Sequence, residues 1–248
     1  MKNRITTLVS LCLLNVCLLS QVEWEKRFYS ASLDTLGNLI YEKPYKGNVL
    51  DFYYDGNIKT KGQYVNGLMN GMWTYYYPNG VIKAIGKFLK GDGENINKIS
   101  GIPQNGRYGE WTIYYLNGIV NAKYQYVNGE FDQNNLEWYA NGQKKYDYSY
   151  IKGIKDGEWN AWYKNGQKKH HYFYDRGKKL KTWIVWWDNG NKKMEGKYTN
   201  DLKEGLYIFW YKNGQKRREG VFHNNKLMGE WTYYNKDGRK RKGRSRKY

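Results

Sequence analysis

The sequence predicts an all-β fold, an elongated single-layer meander of about eight stacked 24-residue β-hairpin repeats. A glycine preceded by Asn or Asp recurs at a constant spacing along the chain, and aromatic residues recur at constant offsets from it. The composition agrees, because 27 Tyr and 11 Trp accompany 28 Gly and only 3 Pro in 248 residues. Strands rich in aromatic residues and joined by glycine turns have this profile.

The first twenty residues differ in kind from the rest of the chain. Lys2 and Arg4 precede residues 5–19, which carry no charge. This layout is typical of a secretory signal peptide, and the run is shorter than the ~20 residues a membrane-spanning helix needs. We expect cleavage after Ser20, leaving Gln21 as the first residue, and therefore a location in the periplasm, at the cell surface or outside the cell.

Cysteine usage is confined to this leader, where Cys12 and Cys17 lie. A lipoprotein acylated at Cys17 is the alternative interpretation, although Val16 occupies the position where a small residue is required. The mature chain would have no thiol, which excludes disulfides, thiolate metal sites and cysteine nucleophiles.

The segment 21–44 carries no copy of the repeat, and we predict that it caps the first edge strand of the array. Repeats one and two occupy residues 45–91, and an inserted loop rich in Gly and Asn occupies residues 92–106. Repeats three to eight occupy residues 107–238, before a basic tail at 239–248.

The repeat is defined by its Asn-Gly or Asp-Gly pair, and positions are counted here from the glycine of that pair, the marker glycine. The interval between markers is 24 residues except for one of 38. The markers are Gly56, Gly80, Gly118, Gly142, Gly166, Gly190, Gly214 and Gly238. Position −4 is aromatic in every copy, being Phe52, Tyr76, Tyr114, Trp138, Trp162, Trp186, Trp210 and Tyr234. Rings also recur at −7 and +8, with Val49 and Asn135 as the departures at −7. Such register over eight copies indicates one structural unit stacked on its neighbours.

Two turns are predicted in each unit. An Asn-Gly pair between aromatic runs favours a two-residue hairpin of type I′, in which both central residues have positive φ. A second turn is predicted at position +11, where residues tolerant of left-handed geometry stand. These are Gly67, Gly91, Gly129, Gly153, Gly177, Asp201 and Asn225. Two turns in 24 residues leave two short strands, and alternation places Trp159 and Tyr163 on one face with Trp162 on the other.

Basic pairs follow the markers and concentrate in the second half of the chain. Residues 131–248 hold 28 Lys and Arg against 13 Asp and Glu, and the formal net charge of the chain is +19. Together with the ring at −4, these pairs define the candidate binding face: Trp138, Trp162, Trp186, Trp210, Lys144, Lys145, Lys168, Lys169, Lys192, Lys193, Lys216 and Arg217. The face is suited to a protein or an anionic envelope surface, with rings available for stacking. In the alternative interpretation, these lysines prevent edge pairing and keep an aromatic sheet soluble.

No motif in the sequence specifies a reaction. There is no Walker loop, dinucleotide fingerprint or zinc spacing, so we expect neither an enzyme nor a cofactor nor a metal site. His170 and His171 are neighbours on a predicted strand, point to opposite faces and are expected to be exposed. Acidic residues such as Asp156 and Glu204 lie beside turns and are expected to pair with lysine across strands.

The repeat resembles the bacterial variant of the MORN repeat (membrane occupation and recognition nexus). The clearest copies are GEWNAWYKNGQKK at residues 157–169 and GLYIFWYKNGQKR at residues 205–217. The resemblance covers about residues 45–242 and implies a repeat scaffold without catalytic residues. Proteins of this kind are often labelled antitoxins, and eukaryotic relatives are described as membrane- or protein-binding scaffolds.

The sequence therefore predicts an exported, non-catalytic scaffold that binds a protein or an anionic partner at the envelope or outside the cell. Peripheral membrane contact is compatible with this function, whereas the export leader disfavours nucleic acid as the partner. The alternative is an antitoxin or immunity protein that neutralises a cognate toxin.

Overall fold

The computed structural model describes residues 31–33, 39–41 and 46–241. The predicted leader, much of the predicted cap and residues 242–248 of the basic tail lie outside the described residues. Strands β1 (Ala31–Leu33) and β2 (Leu39–Tyr41) pair with each other in a two-stranded sheet.

Within residues 46–241 the repeats form one open antiparallel sheet of sixteen strands, which confirms the predicted all-β meander of hairpins. Neighbours in the chain are neighbours in the sheet, and only the short β9 lies off the path, paired with β8. The strands are β3 (Lys46–Phe52), β4 (Ile58–Val65), β5 (Leu68–Tyr76), β6 (Ile82–Gly91), β7 (Arg107–Tyr114), β8 (Val120–Val127), β9 (Glu130–Phe131), β10 (Gln133–Trp138), β11 (Lys144–Ile151), β12 (Ile154–Trp162), β13 (Lys168–Asp175), β14 (Lys178–Trp186), β15 (Lys192–Thr199), β16 (Leu202–Trp210), β17 (Lys216–His223) and β18 (Lys226–Tyr233).

The marker turn differs from the two-residue type I′ turn that the sequence predicts. In the fifth repeat, the Gly166 N–H donates to the Tyr163 carbonyl at 2.9 Å, and the Tyr163 N–H donates to Gln167 at 2.8 Å. Gly166 has φ of 84°, whereas Asn165 is not left-handed. This is a type I turn closed by a left-handed glycine, a three-residue loop with a bulge. The prediction was wrong because Asn serves as a hydrogen-bonding residue here and does not adopt positive φ.

The type I′ turn occurs instead at the second turn of the repeat. Lys152 and Gly153 have φ of 47° and 73° and connect β11 directly to β12. The other predicted positions follow this geometry except Gly91, which ends β6 without positive φ. At Gly91 the chain leaves the sheet into the inserted loop, so no tight hairpin is formed there.

A bulge also interrupts the first strand of six of the described repeats at position −9. The residue there has positive φ, which explains the glycine two positions before the −7 ring in copies such as Gly157. The bulge residues are Gly71, Gly109, Gly157, Lys181, Gly205 and Gly229, and φ is also positive at the equivalent Gly47 and Gln133. Bulges of this kind increase the local twist of a strand.

Side chains of the marker turn connect each repeat to the next one. The Oδ1 of Asn165 accepts the N–H of Gln167 at 3.1 Å, and its Nδ2 donates to the Asp188 carbonyl at 2.6 Å. The ring at position −3 makes a parallel link, since the Tyr163 hydroxyl donates to the Trp186 carbonyl at 2.9 Å. The same −3 link occurs at Tyr53, Tyr77, Tyr115, Tyr139, Trp187 and Tyr211.

Most of the core lies on one side of the sheet, called the ring face, which carries the −7 and +8 rings. These rings alternate along the array in edge-to-face contact, for example Phe88 against Trp111 at 4.9 Å and Tyr207 against Phe222 at 5.0 Å. In the first half the inserted loop also packs here, with Ile102 only 1% exposed in the core cluster. The side that carries the −4 rings is called the tryptophan face.

Candidate binding face

The four predicted tryptophans, Trp138, Trp162, Trp186 and Trp210, occupy equivalent positions at the ends of alternate strands. Each is half-buried, so part of every ring remains accessible to a partner. One strand lies between neighbouring copies, so equivalent rings are two strand spacings, or ~10 Å, apart. The tryptophan face therefore carries a regular row of four partly exposed tryptophan rings.

The first cation of each basic pair extends across this row to the −4 ring of the following repeat. The Nζ of Lys144 lies 5.4 Å from the Trp162 ring centre. The equivalent pairs are Lys168 with Trp186, Lys192 with Trp210 and Lys216 with Tyr234, at 5.9, 5.8 and 6.0 Å. An ammonium within about 6 Å of a ring is attracted by the ring quadrupole. These contacts make a continuous cation–π ladder from the fourth repeat to the eighth.

Most cations of the ladder are also paired with a carboxylate three residues along the chain. Lys144 contacts Asp147 at 2.9 Å, and Lys192 contacts Glu195 at 2.7 Å. Lys216 contacts Glu219 at 2.8 Å, and this contact lowers the pKa of Glu219 below its usual range. In the fifth repeat His171 occupies the acidic position, so Lys168 has no carboxylate partner among the described residues.

The second cation of each pair contacts a different ring, at position −3 of its own repeat. Lys169 lies 5.7 Å from the Tyr163 ring and Lys193 lies 4.3 Å from Trp187. Lys145 contacts the rings of Tyr139 and Tyr146, and Arg217 is exposed. By strand alternation, the −3 ring is on the side of the −7 ring. The structure thus brings the tryptophans together with the first cations and places Lys145, Lys169 and Lys193 elsewhere.

The histidines are less exposed than the sequence suggests. His170 stacks on Tyr172 with ring centres 4.3 Å apart, and the His171 Nδ1 lies 2.9 Å from the Asn160 Oδ1. Both are half-buried, since His170 also lies 6.3 Å from the Tyr146 ring and His171 contacts Asn160 on the adjacent strand. Among the described residues no group of three or more His, Cys, Asp or Glu is placed to hold a metal ion.

The turn acids were predicted to pair with lysine, and two of them instead bind backbone N–H groups. Asp156 accepts the N–H of Arg176 at 2.9 Å, and Glu204 accepts the N–H of Asn224 at 3.1 Å. Each N–H belongs to the first residue of the next type I′ turn. These carboxylates therefore fix the turns of neighbouring repeats.

A groove of about 400 Å³ lies on the ring face, and the sequence interpretation did not find it. Its lining residues come from strands β10 to β13: Glu137, Tyr146, Tyr148, Tyr150, Lys155, Trp159, His170, Tyr172 and Tyr174. The sequence feature that could have indicated the groove is position +6, which is Gly in four repeats and Tyr in three.

The part of the chain that the structure describes contains no helix with the length and apolar character of a membrane span.

Comparison with known families agrees with this architecture. A family model described as "MORN repeat variant" matches residues 69–90, 107–128 and 203–225. These segments correspond to the hairpins β5–β6, β7–β8 and β16–β17. A search of curated proteins found no matching sequence. Three hairpins of the sheet therefore match the MORN repeat variant.

Proposed function

We propose that this chain is an exported, non-catalytic repeat scaffold that binds an acidic partner at the cell envelope or outside the cell. The observation that carries the proposal is the cation–π ladder of the tryptophan face, in which ring and ammonium recur together over successive repeats. A flat row of half-exposed rings flanked by cations offers both apolar contact area and attraction for negative charge.

The distribution of charge supports an acidic partner. Residues 131–248 hold 28 Lys and Arg against 13 Asp and Glu, and the ladder occupies this part of the chain. Lys168 is the member of the ladder whose ammonium is not neutralised by a carboxylate among the described residues. Lys168 pairs with Trp162 across the strands and its ammonium lies over the Trp186 ring. The fifth repeat is therefore the centre of the proposed surface.

The test compares ladder variants with matched variants of the first three repeats. There the −4 rings are Phe52, Tyr76 and Tyr114, and the residues that correspond to the first cation are Ile58, Ile82 and Val120. A triple variant Trp162→Ala, Trp186→Ala, Trp210→Ala removes the ladder rings, and Phe52→Ala with Tyr114→Ala is the control. Circular dichroism verifies that both variants keep the β-sheet.

Binding of the mature chain to immobilised heparin and to vesicles of anionic lipid is measured from 50 to 500 mM salt. We expect affinity to fall steeply with salt, because the partner's counterions are released on binding. The ladder variant should bind at least tenfold more weakly, and the control should change less than twofold. Equal loss in both variants, or no binding to either anionic probe at low salt, would contradict an acidic partner.

Cell fractionation and sequencing of the mature N-terminus test the location. The proposal requires an exported product that begins near Gln21. A cytoplasmic product beginning at Met1 would contradict it and would favour the antitoxin function, which predicts one tight protein partner and toxicity when the chain is deleted.

A further inference from the structure

The groove on the ring face exists because Tyr replaces Gly at position +6 of the central repeats. In a Gly repeat the next −7 ring lies directly on the glycine, and a Cβ added to Gly86 would be 2.1 Å from the Trp111 ring. In a Tyr repeat the ring stacks on the tyrosine instead, Trp159 on Tyr148 at 4.9 Å. The tryptophan is therefore raised from the sheet by the thickness of one ring.

A small residue at position −5 completes the concave shape. Ala161 stands where the other repeats have Asp51, Tyr75, Ile113, Glu137, Val185, Phe209 and Tyr233. It pairs across the sheet with Tyr146 on one side and His170 on the other, and their ring centres are 6.3 Å apart. Ala161 is fully buried between these rings. The groove is thus bounded by aromatic faces at positions where other repeats carry larger side chains.

A fixed carboxylate stands at one end of the groove. The Oε1 of Glu137 accepts hydroxyl hydrogen bonds from Tyr148 at 2.8 Å and from Tyr124 at 3.2 Å, and its Oε2 accepts from Lys145 at 3.3 Å. Burial, reinforced by the charge of Glu137, raises the pKa of both tyrosines. They consequently remain neutral donors that hold the carboxylate in one orientation.

The remaining polar groups of the groove are available to a ligand. Tyr146, Tyr150, Tyr172 and Tyr174 line it, and their hydroxyls have no hydrogen-bond partner among the described residues. Burial and the neighbouring Lys169 and His171 lower the pKa of His170 to about 4, so at neutral pH its ring offers one donor and one acceptor. At the other end the Lys155 ammonium lies 4.4 Å from the Trp159 ring centre.

We propose that this groove binds the sugar rings of a glycan. A pyranose presents a C–H face that packs on an aromatic ring and a rim of hydroxyls that both donate and accept hydrogen bonds. The groove supplies aromatic faces together with phenol hydroxyls, a carboxylate and an ammonium, and its volume is in the range of about 300–1,000 Å³ typical of small-molecule sites. A lipid chain does not fit this chemistry, since it would leave the hydroxyls and the ammonium desolvated without partners.

This site is on the opposite face of the sheet from the tryptophan ladder and does not depend on it. The experiment uses the mature chain and four soluble probes: chitotetraose, cellotetraose, maltotetraose and a hyaluronan tetrasaccharide. Binding is measured by isothermal titration calorimetry and by the change in tryptophan fluorescence. We expect saturable binding of at least one probe at micromolar to millimolar concentration, with 1:1 stoichiometry.

Two variants test the groove directly. Tyr146→Ala combined with Tyr172→Ala removes two stacking faces and should weaken binding at least tenfold. Tyr148→Gly recreates the local sequence of a Gly repeat, so Trp159 should settle on the sheet and close the groove, with the same loss of affinity. The control is Trp210→Ala on the tryptophan face, which should change affinity less than twofold.

Three results would overturn the proposal: no binding of any probe at 10 mM, retained binding in both groove variants while circular dichroism shows an intact sheet, or equal loss in Trp210→Ala. The groove variants should leave salt-dependent binding to vesicles of anionic lipid unchanged. This readout separates failure of the glycan site from failure of the tryptophan face.

Discussion

At the scale of single residues, position +6 decides what the ring face can do. Gly62, Gly86, Gly196 and Gly220 lie beneath the −7 ring of the next repeat, where a Cβ would meet that ring within 3 Å. Tyr148 and Tyr172 hold the ring away from the sheet, with Tyr172 stacked on Trp183 at 4.0 Å. Tyr at position +6 together with the small Ala161 at position −5 thus gives an open aromatic groove in place of a closed core.

His170 gives a prediction for the dependence of stability on pH. Its folded pKa of about 4 lies below the ordinary value of 6.5, mainly because burial disfavours the charged ring. Between these values the unfolded chain binds the proton and the folded chain does not, so stability falls as pH decreases from about 6.5 to 4. The variant His170→Phe keeps the stack on Tyr172 and should lose this part of the pH dependence.

Urea unfolding at intervals between pH 4 and pH 7 measures the effect of His170→Phe. The variant Tyr54→Phe, at a fully exposed ring, is the control and should follow the wild type. If the free energy of unfolding of His170→Phe changes with pH as much as that of the wild type, His170 does not contribute to the pH dependence of stability.

At the scale of the hairpin, the two turns have different roles. The type I′ turn joins strands with two residues, whereas the marker turn uses Asn to fix its own loop and to reach the next repeat. Asp occupies the Asn position only in the first and last copies, at Asp55 and Asp237. In the first copy Asn57 provides the link instead, donating to the Pro78 carbonyl at 2.9 Å.

The variant Asn165→Asp should separate the two roles of the turn residue. It keeps the acceptor for the Gln167 N–H and loses the donor to the Asp188 carbonyl. We expect a loss of about 0.5–1.5 kcal/mol in the free energy of unfolding, the usual contribution of one hydrogen bond. Urea denaturation followed by tryptophan fluorescence measures the change.

The matched control for this variant is Asp237→Asn in the last copy. It loses only an exposed contact between Arg239 and Asp237, which contributes little to stability. A similar destabilisation in the two variants would mean that the side-chain link between repeats is not what stabilises the turn.

At the scale of the whole molecule, stability is distributed over contacts between neighbouring repeats, as expected for a quasi-one-dimensional array. Most hairpins contribute one −7 ring, one +8 ring and the side-chain links of the marker turn. Removing one complete unit should therefore join two equivalent surfaces, whereas removing a fraction of a unit should not.

Deletion of residues 191–214, from one marker to the next, should give a folded and shorter sheet. The junction restores an Asn-Gly turn and would place Trp183 beside Phe222 in the usual ring order. Deletion of residues 192–214 leaves one additional residue in the loop, and a shift of one residue moves every side chain of the strand to the other face. We expect the second variant to unfold at a clearly lower temperature.

Far-UV circular dichroism and thermal unfolding compare the two deletions. Equal stability of the 24-residue and the 23-residue deletion would contradict the repeat register described above.

The sequence by itself determined the all-β class, the 24-residue period, the two strands per unit and the separation of Trp159 from Trp162. These features follow from local periodicity and from the placement of glycine, and both can be read directly from the sequence. The positions of the two turns were also evident, because few residues tolerate left-handed geometry.

Only the tertiary structure decided the turn types, the partners of the basic pairs and the presence of the groove. The type of each turn depends on which hydrogen bonds the turn residue makes with the next repeat, and Asn165 bonds to a residue 23 positions away. Likewise, Lys168 and Lys169 are neighbours in sequence but contact rings in different repeats, at Trp186 and Tyr163. The groove depends on the height of Trp159 above the sheet, which is set by the ring beneath it on the adjacent strand and not by its own sequence neighbours.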